Sequence, residues 1–156
     1  MCFEFTCRLG NTRTAMRLIE VIYTSTATRV MGDEDLRSIL DTSVRRNTHD
    51  GVTGLLLFAN AIFLQAVEGP AASIDALLAR LESDPRHHAI TILSHTEVTQ
   101  RDFARWSMGF KQLAPQDLIE HPHFAPFFTP GFDPSHLGQP GLALDILKSL
   151  AHDIAG

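Results

Sequence analysis

Cysteine is scarce in this chain: two residues in 156, Cys2 and Cys7, both at the extreme N-terminus. That placement gives no disulfide framework and no thiolate metal spacing, and it fits a cytoplasmic, reducing compartment. Basic residues are also few, 13 Lys and Arg against 18 Asp and Glu for a net charge of −5, so nothing offers an electrostatic footprint for nucleic acid. Arg45 and Arg46 are adjacent, but two arginines near a helix end complement the helix dipole. No apolar run reaches the length of a membrane span, and MCFEFTCRLGNTRTAM lacks the continuous apolar core of a signal peptide. No G-x-G-x-x-G follows a predicted strand, which excludes nucleotide binding in the Rossmann manner. There are eight histidines, yet His87-His88 and His121-x-His123 lack a ligand set at helix or strand spacing, so no metal centre is expected.

What remains is an ordinary globular composition, 44% hydrophobic and 20% charged, in a length suited to one domain with a real core. Met16 stands just before the first strand pattern, so residues 1–15 read as an extension, with an upstream start site as one origin. Arg17 to Ser25 predicts a buried strand, rich in β-branched residues. Asp33 serves as the cap of a helix running to about Asn47, and His49-Asp50-Gly51 reads as a turn. Val52–Ala59 and Ala61–Glu68 form a hairpin around Asn60, closed by Gly69-Pro70. A second helix presents Ile74, Leu77, Leu78 and Leu81 on one face and stops at Asp84-Pro85. Ala89–Val98 and Phe103–Phe110 are strands four and five.

The order βαββαββ predicts an α+β, ferredoxin-like sheet with two helices on one face. The hairpin strands are apolar on both faces, so the other face needs a cover. Residues 113–156 supply one. Pro115 to Pro140 is a Pro/Phe/His-rich connection, and Ala143, Ile146, Leu147, Leu150 and Ile154 form a helical stripe. The domain then spans 16–112.

Three polar residues sit in the buried register of otherwise apolar elements: Tyr23, Asn47 and Gln65. Tyr23 shares a strand face with Ile19 and Val21, and Gln65 with Phe63 and Val67. Asn47 falls on the stripe of Leu36 and Leu40. Each needs a hydrogen-bond partner there, so three inward neutral groups point to a polar ligand inside the fold. The plainer readings are a helix C-cap for Asn47 and a packed core Tyr–Gln pair. Ser25 and Ser43 lie in inward register as well.

Tyr23 in LIEVIYTS, Asn47 in RRNTHDGVTGLLLF, Gln65 in FLQAVEG, and Trp106 with Met108 in FARWSMGF together resemble the BLUF family of blue-light sensors. The resemblance covers about residues 17–112 and departs from the family where Asn60-Ala61 replaces a glycine-containing turn and Val67 a common leucine. It implies a non-covalent FAD whose ring lies between the two helices. It further implies Asn47 and Ser43 as ligands of the ring. Arg46, Asp84, Arg86 and His87 would lie near the ring or its side chain, with His88 also near its dimethylbenzene end. Light-driven electron and proton transfer from Tyr23 through Gln65 would change a flavin hydrogen bond without net turnover, so no enzymatic activity is expected. Trp106 and Met108, placed on one strand face with Ala104 and Phe110, would carry the signal. Output would pass to a separate effector protein or through homo-oligomer formation. The rivals are an acylphosphatase-like enzyme, for which TSTATRVMGDE lacks a glycine-rich phosphate loop, and an interaction module without photochemistry.

Overall fold

Ile19, Val21 and Tyr23 alternate with Glu20, Ile22 and Thr24 along β1 (Leu18–Ala27), and all six are buried. A strand buried on both sides must lie inside a sheet that is covered on both faces. In the computed structural model, which describes residues 17–120, 122, 125–129 and 142–155, this is the arrangement found. After β1 come α1 (Asp33–Asp50), β2 (Thr53–Ala59), β3 (Ile62–Pro70), α2 (Ala71–Ser83), β4 (His87–Val98) and β5 (Gly109–Gln112). Two short pieces follow, α3 (Pro115–Glu120) and a 3₁₀ turn (Ala125–Phe128), and then α4 (Leu142–Ala155).

The five strands take the order β4-β1-β3-β2-β5. All neighbours are antiparallel except β2 and β5, which run parallel. One face packs Val21, Leu56 and Val67 against Leu36 of α1 and Ile74 and Leu77 of α2. The other packs Ile22, Leu57 and Leu64 against Phe127, Phe128 and Leu147. Ala143, Ile146 and Leu150 join Leu147 there, so these four members of the stripe read from sequence face the sheet. Burial of each large aliphatic in that stripe stabilises the docked helix by about 1.5–3 kcal/mol.

Local chemistry explains the element ends. Gly32 is the N-cap of α1, and the Asp35 carboxylate accepts from its backbone N–H at 3.0 Å; Asp33 is the first helical residue, not the cap. The helix runs three residues beyond Asn47, taking in His49 and Asp50, and ends at Gly51 with φ 73°. That left-handed position suits glycine, and its N–H closes onto the Asn47 carbonyl. In the hairpin, Asn60 and Ala61 have φ 53° and 66°, the type I′ pattern that matches strand twist. Asn tolerates this, whereas Ala61 pays roughly 1–2 kcal/mol. Asn60 Nδ2 donates to the Phe128 carbonyl at 3.1 Å and Ala27 N–H to the Ala61 carbonyl at 2.7 Å, which anchors the turn.

Strand five is much shorter than its hydrophobicity implied. It begins at Gly109, and residues 102–108 form bends and turns. Glu68 is the cause. Its carboxylate, 0% exposed, accepts from the backbone N–H groups of Asp102 at 2.8 Å and Phe103 at 2.7 Å, diverting them from any ladder. Glu20, opposite Glu68 in register, is buried beside it. Burial, with the Asp102 and Glu68 carboxyls alongside, pushes Glu20 up to about 8. Residues 1–15, His121, His123 and the side chains of His87 and Ile154 lie outside the described residues.

Candidate functional site

Tyr23 and Gln65 are direct partners in the β1–β3 ladder, so their side chains emerge together on the helix-covered face. The Tyr23 hydroxyl donates to Gln65 Oε1. Gln65 Nε2 in turn donates to the Met108 sulfur at 3.3 Å. All three residues are buried. Burial, followed by the negative charge of Asp84, raises the Tyr23 phenol well above its ordinary value of 10.0, so it stays protonated.

Asn47 reaches the same region from the last turns of α1. It is 3% exposed, and its Nδ2 donates to the Ser107 carbonyl at 2.7 Å. Because Gly51 occupies the left-handed position, Asn47 is not the helix cap. Beside it Thr48 Oγ1 donates to the Val44 carbonyl at 2.7 Å and accepts from Ser107 Oγ at 2.8 Å. The C-terminal end of α1 thus grips the segment between Trp106 and Met108.

A cleft opens between α1, α2 and the sheet as two adjoining hollows of about 410 and 500 Å³, both open to solvent. They share Tyr23, Ser43, Gln65, Leu81, Asp84 and Arg86. Ser25 and Phe63 line the first alone; Arg46 and Asn47 line the second alone. Arg86 grips Asp84 at the mouth, with Nη2 at 2.6 Å from Oδ2 and Nε at 3.0 Å from Oδ1. This partner holds the Arg86 guanidinium above its usual value. Ser25 is buried, and its Oγ has no hydrogen-bond partner among the described residues.

Most residues singled out from the sequence therefore meet at one cleft. Trp106 does not. It is half-buried and packs on the opposite face, with the cluster that contains Phe103 and Leu147, while Met108 belongs to the helix side. The two do not share a strand face, because residues 106–108 turn through the plane of the sheet. Ser107 and Thr48 were not expected. Adjacency to Asn47 was the one available hint for Thr48, and nothing local marks a partner 60 residues away.

A family model described as sensors of blue-light using FAD matches residues 18–109, more than half of the chain. The chain belongs to the BLUF family. It is 36% identical over 92 residues to the photoactivated adenylate cyclase subunit beta of Euglena gracilis, a span of 58% of this chain and 11% of that protein. The chain thus corresponds to a small part of the curated relatives it matches. Among solved structures, the dark state of BlrB, a BLUF protein, superposes with TM-score 0.73 at 26% identity, covering 89% of this chain and 98% of that one. The ground state of BlsA gives TM-score 0.68 at 29% identity, covering 84% and 87%. BlrP1 of Klebsiella pneumoniae, solved with FMN and cyclic diGMP, gives TM-score 0.59 at 25% identity over 82% of this chain and 35% of that one. The sheet with its two helices is that of a BLUF domain, and the family binds flavin. The cleft suits such a group. Its lining offers the neutral amides and hydroxyls that a polar heterocycle requires, from Tyr23, Ser43, Asn47 and Gln65, beside the charged Arg46, Arg80, Asp84 and Arg86, and Ser25 Oγ is an inward polar group left to a ligand. No helix among the described residues is long and apolar enough to cross a membrane.

Proposed function

We propose that this protein is a cytoplasmic blue-light photoreceptor that holds FAD non-covalently in the α1–α2 cleft and signals by rearranging the hydrogen bonds of Gln65. The observation that carries the reading is the continuous chain Tyr23 hydroxyl, Gln65 amide, Met108 sulfur, buried against the cleft. Asn47 and Ser43 would hold the polar edge of the isoalloxazine. With one Nδ2–H given to Ser107, Asn47 offers Oδ1 to a ring N–H and keeps a second N–H to donate. Arg46, Asp84, Arg86 and His87 would border the ring and its side chain.

When bound, the flavin supplies absorption of blue light and a one-electron acceptor. The rest falls to the chain. A phenol that has lost an electron is a strong acid, and the Tyr23 proton already points at Gln65 Oε1, so electron and proton leave together. An amide that takes up a proton at its oxygen must redistribute its donors. The weak Nε2–H bond to the Met108 sulfur is the first to yield. After charge and proton return to Tyr23, the amide is left in a changed orientation or tautomer, and the state reverts in the dark with no substrate consumed. Met108, Ser107 and Trp106 then connect the cleft to the opposite face, and output passes to a separate effector or through homo-oligomer contacts.

The test is direct. Purified full-length protein should be yellow, release FAD and not FMN on denaturation, and show a small red shift without bleaching under blue light. A colourless protein that takes up no flavin on reconstitution overturns the proposal.

A further inference from the structure

Glu20 and Glu68 stand directly opposite each other in the β1–β3 ladder on the face away from the cleft. Like charges in such a pair are destabilising, and both residues are buried, at 3% and 0% exposure. Asp102 joins them, with one carboxylate oxygen from each of the three residues within 4.8 Å of the others. The nearby cations do not neutralise this group. Arg101 is spent on Thr53 Oγ1 and on the main-chain oxygens of Glu68 and Gly51. Lys148 of α4 reaches only Asp102, at 3.5 Å, with its side chain half exposed.

The second observation concerns how the oxygens of this group are satisfied. Glu20 Oε2 is fully buried and receives no hydrogen bond from a donor among the described residues, its neighbours there being the Asp102 and Glu68 carboxyls. A buried carboxylate oxygen without a partner is costly, and structures rarely retain one without a counterpart. Glu68 behaves differently. Its two oxygens are fixed by Asp102 N–H, Phe103 N–H and, at 2.7 Å, Thr53 Oγ1. One carboxylate is thus oriented in advance, a second lies opposite it with an oxygen that no donor satisfies, and a third closes the group from the loop.

The geometry points to a binding site for a hard divalent cation, Ca²⁺ by size, formed by Glu20, Glu68 and Asp102 beneath the C-terminal helix. An all-oxygen anionic set selects that class over soft or imidazole-seeking metals. Ca²⁺ at about 2.3–2.6 Å holds its ligands at most about 5 Å apart, whereas Mg²⁺ at about 2.0–2.1 Å requires a contraction to about 4 Å. Three oxygens within 4.8 Å of one another fit around the larger ion without rearrangement. Occupancy gives Glu20 Oε2 its partner, leaves the N–H bonds of Glu68 in place, and competes with Lys148 for Asp102. This site does not depend on the flavin reading.

Full-length protein stripped with a chelator is melted with CaCl₂, MgCl₂, or KCl at matched ionic strength, following far-UV circular dichroism. CaCl₂ should raise the midpoint saturably, by roughly 5–10 °C at about 100 times the dissociation constant, and by more than MgCl₂. The rise should vanish in Glu20→Gln and in Asp102→Asn. Calorimetric titration of the unmutated protein should give one Ca²⁺ per chain, a result that does not rely on the variants folding. No midpoint shift beyond the KCl control together with no calorimetric binding overturns the proposal, leaving a proton shared among the carboxyls. An undiminished shift in both variants overturns it equally.

Discussion

The side-chain nitrogen of Asn47 donates to the main-chain carbonyl of Ser107 at 2.7 Å. One bond therefore ties the helix that lines the cleft to the residue between Met108, which touches Gln65, and Trp106, which faces the C-terminal cover. On the proposed reading, in which Asn47 also holds the flavin, ligand retention and loop position are coupled at this amide.

Asn47→Ala should accordingly have two effects. Flavin retention should weaken, and the flavin-free protein should also lose stability, by roughly 1–3 kcal/mol, because the Ser107 carbonyl is left unsatisfied. Cofactor-to-protein ratio after gel filtration and urea unfolding of the apoprotein measure the two separately. An unaltered apoprotein midpoint would show that the Asn47–Ser107 bond contributes nothing.

Tyr23→Phe should keep the flavin and abolish the photocycle, since it removes the proton and the hydroxyl while changing little volume. Gln65→Leu should do the same by cutting the path between Tyr23 and Met108. Light-minus-dark absorption spectra decide the matter, and a normal red shift in both variants would refute the relay.

Alkaline titration tests the burial of Tyr23. Its folded-state value lies well above the ordinary 10.0, so its contribution to stability is complete below that pH and is lost as the pH rises beyond it. Unfolding free energy should fall by about 1.4 kcal/mol per pH unit there, with tyrosinate absorbance appearing only as the chain unfolds. Because Tyr23 is the only tyrosine, the signal is unambiguous. Tyrosinate formation near pH 10 with the fold intact would contradict the buried site.

Leu147→Ala on α4 should destabilise by roughly 2–5 kcal/mol, because the side chain is 0% exposed against the sheet, yet leave the spectral red shift unchanged. Hydrogen exchange in light and dark should differ across residues 103–113 and 142–155. Equal protection in both states would mean that the signal leaves by another surface, such as α1 around Asn47.

The central hairpin, both helix faces and the polar trio Tyr23, Asn47 and Gln65 were legible because period-2 and helical patterns expose polar residues in apolar registers. Within the expected strand Phe103–Phe110, residues 103–108 are not strand. The alternation of Ala104, Trp106, Met108 and Phe110 is genuine hydrophobicity, but Glu68 takes the Asp102 and Phe103 N–H groups from 34 and 35 residues away, which no local window can register. The same blindness hid Ser107. Glu68 itself looked like the polar end of a strand, although it is fully buried and organises the loop.

The chain has a single tyrosine and a single tryptophan, and the sheet places them on opposite sides. Each is a spectroscopic reporter with one possible source. A phenoxyl signal can come only from the Tyr23 side of the sheet, and indole emission only from Trp106 beside the cover. The arrival of a signal at the far face is therefore readable from fluorescence of the unmodified chain, separately from the visible band that marks its origin.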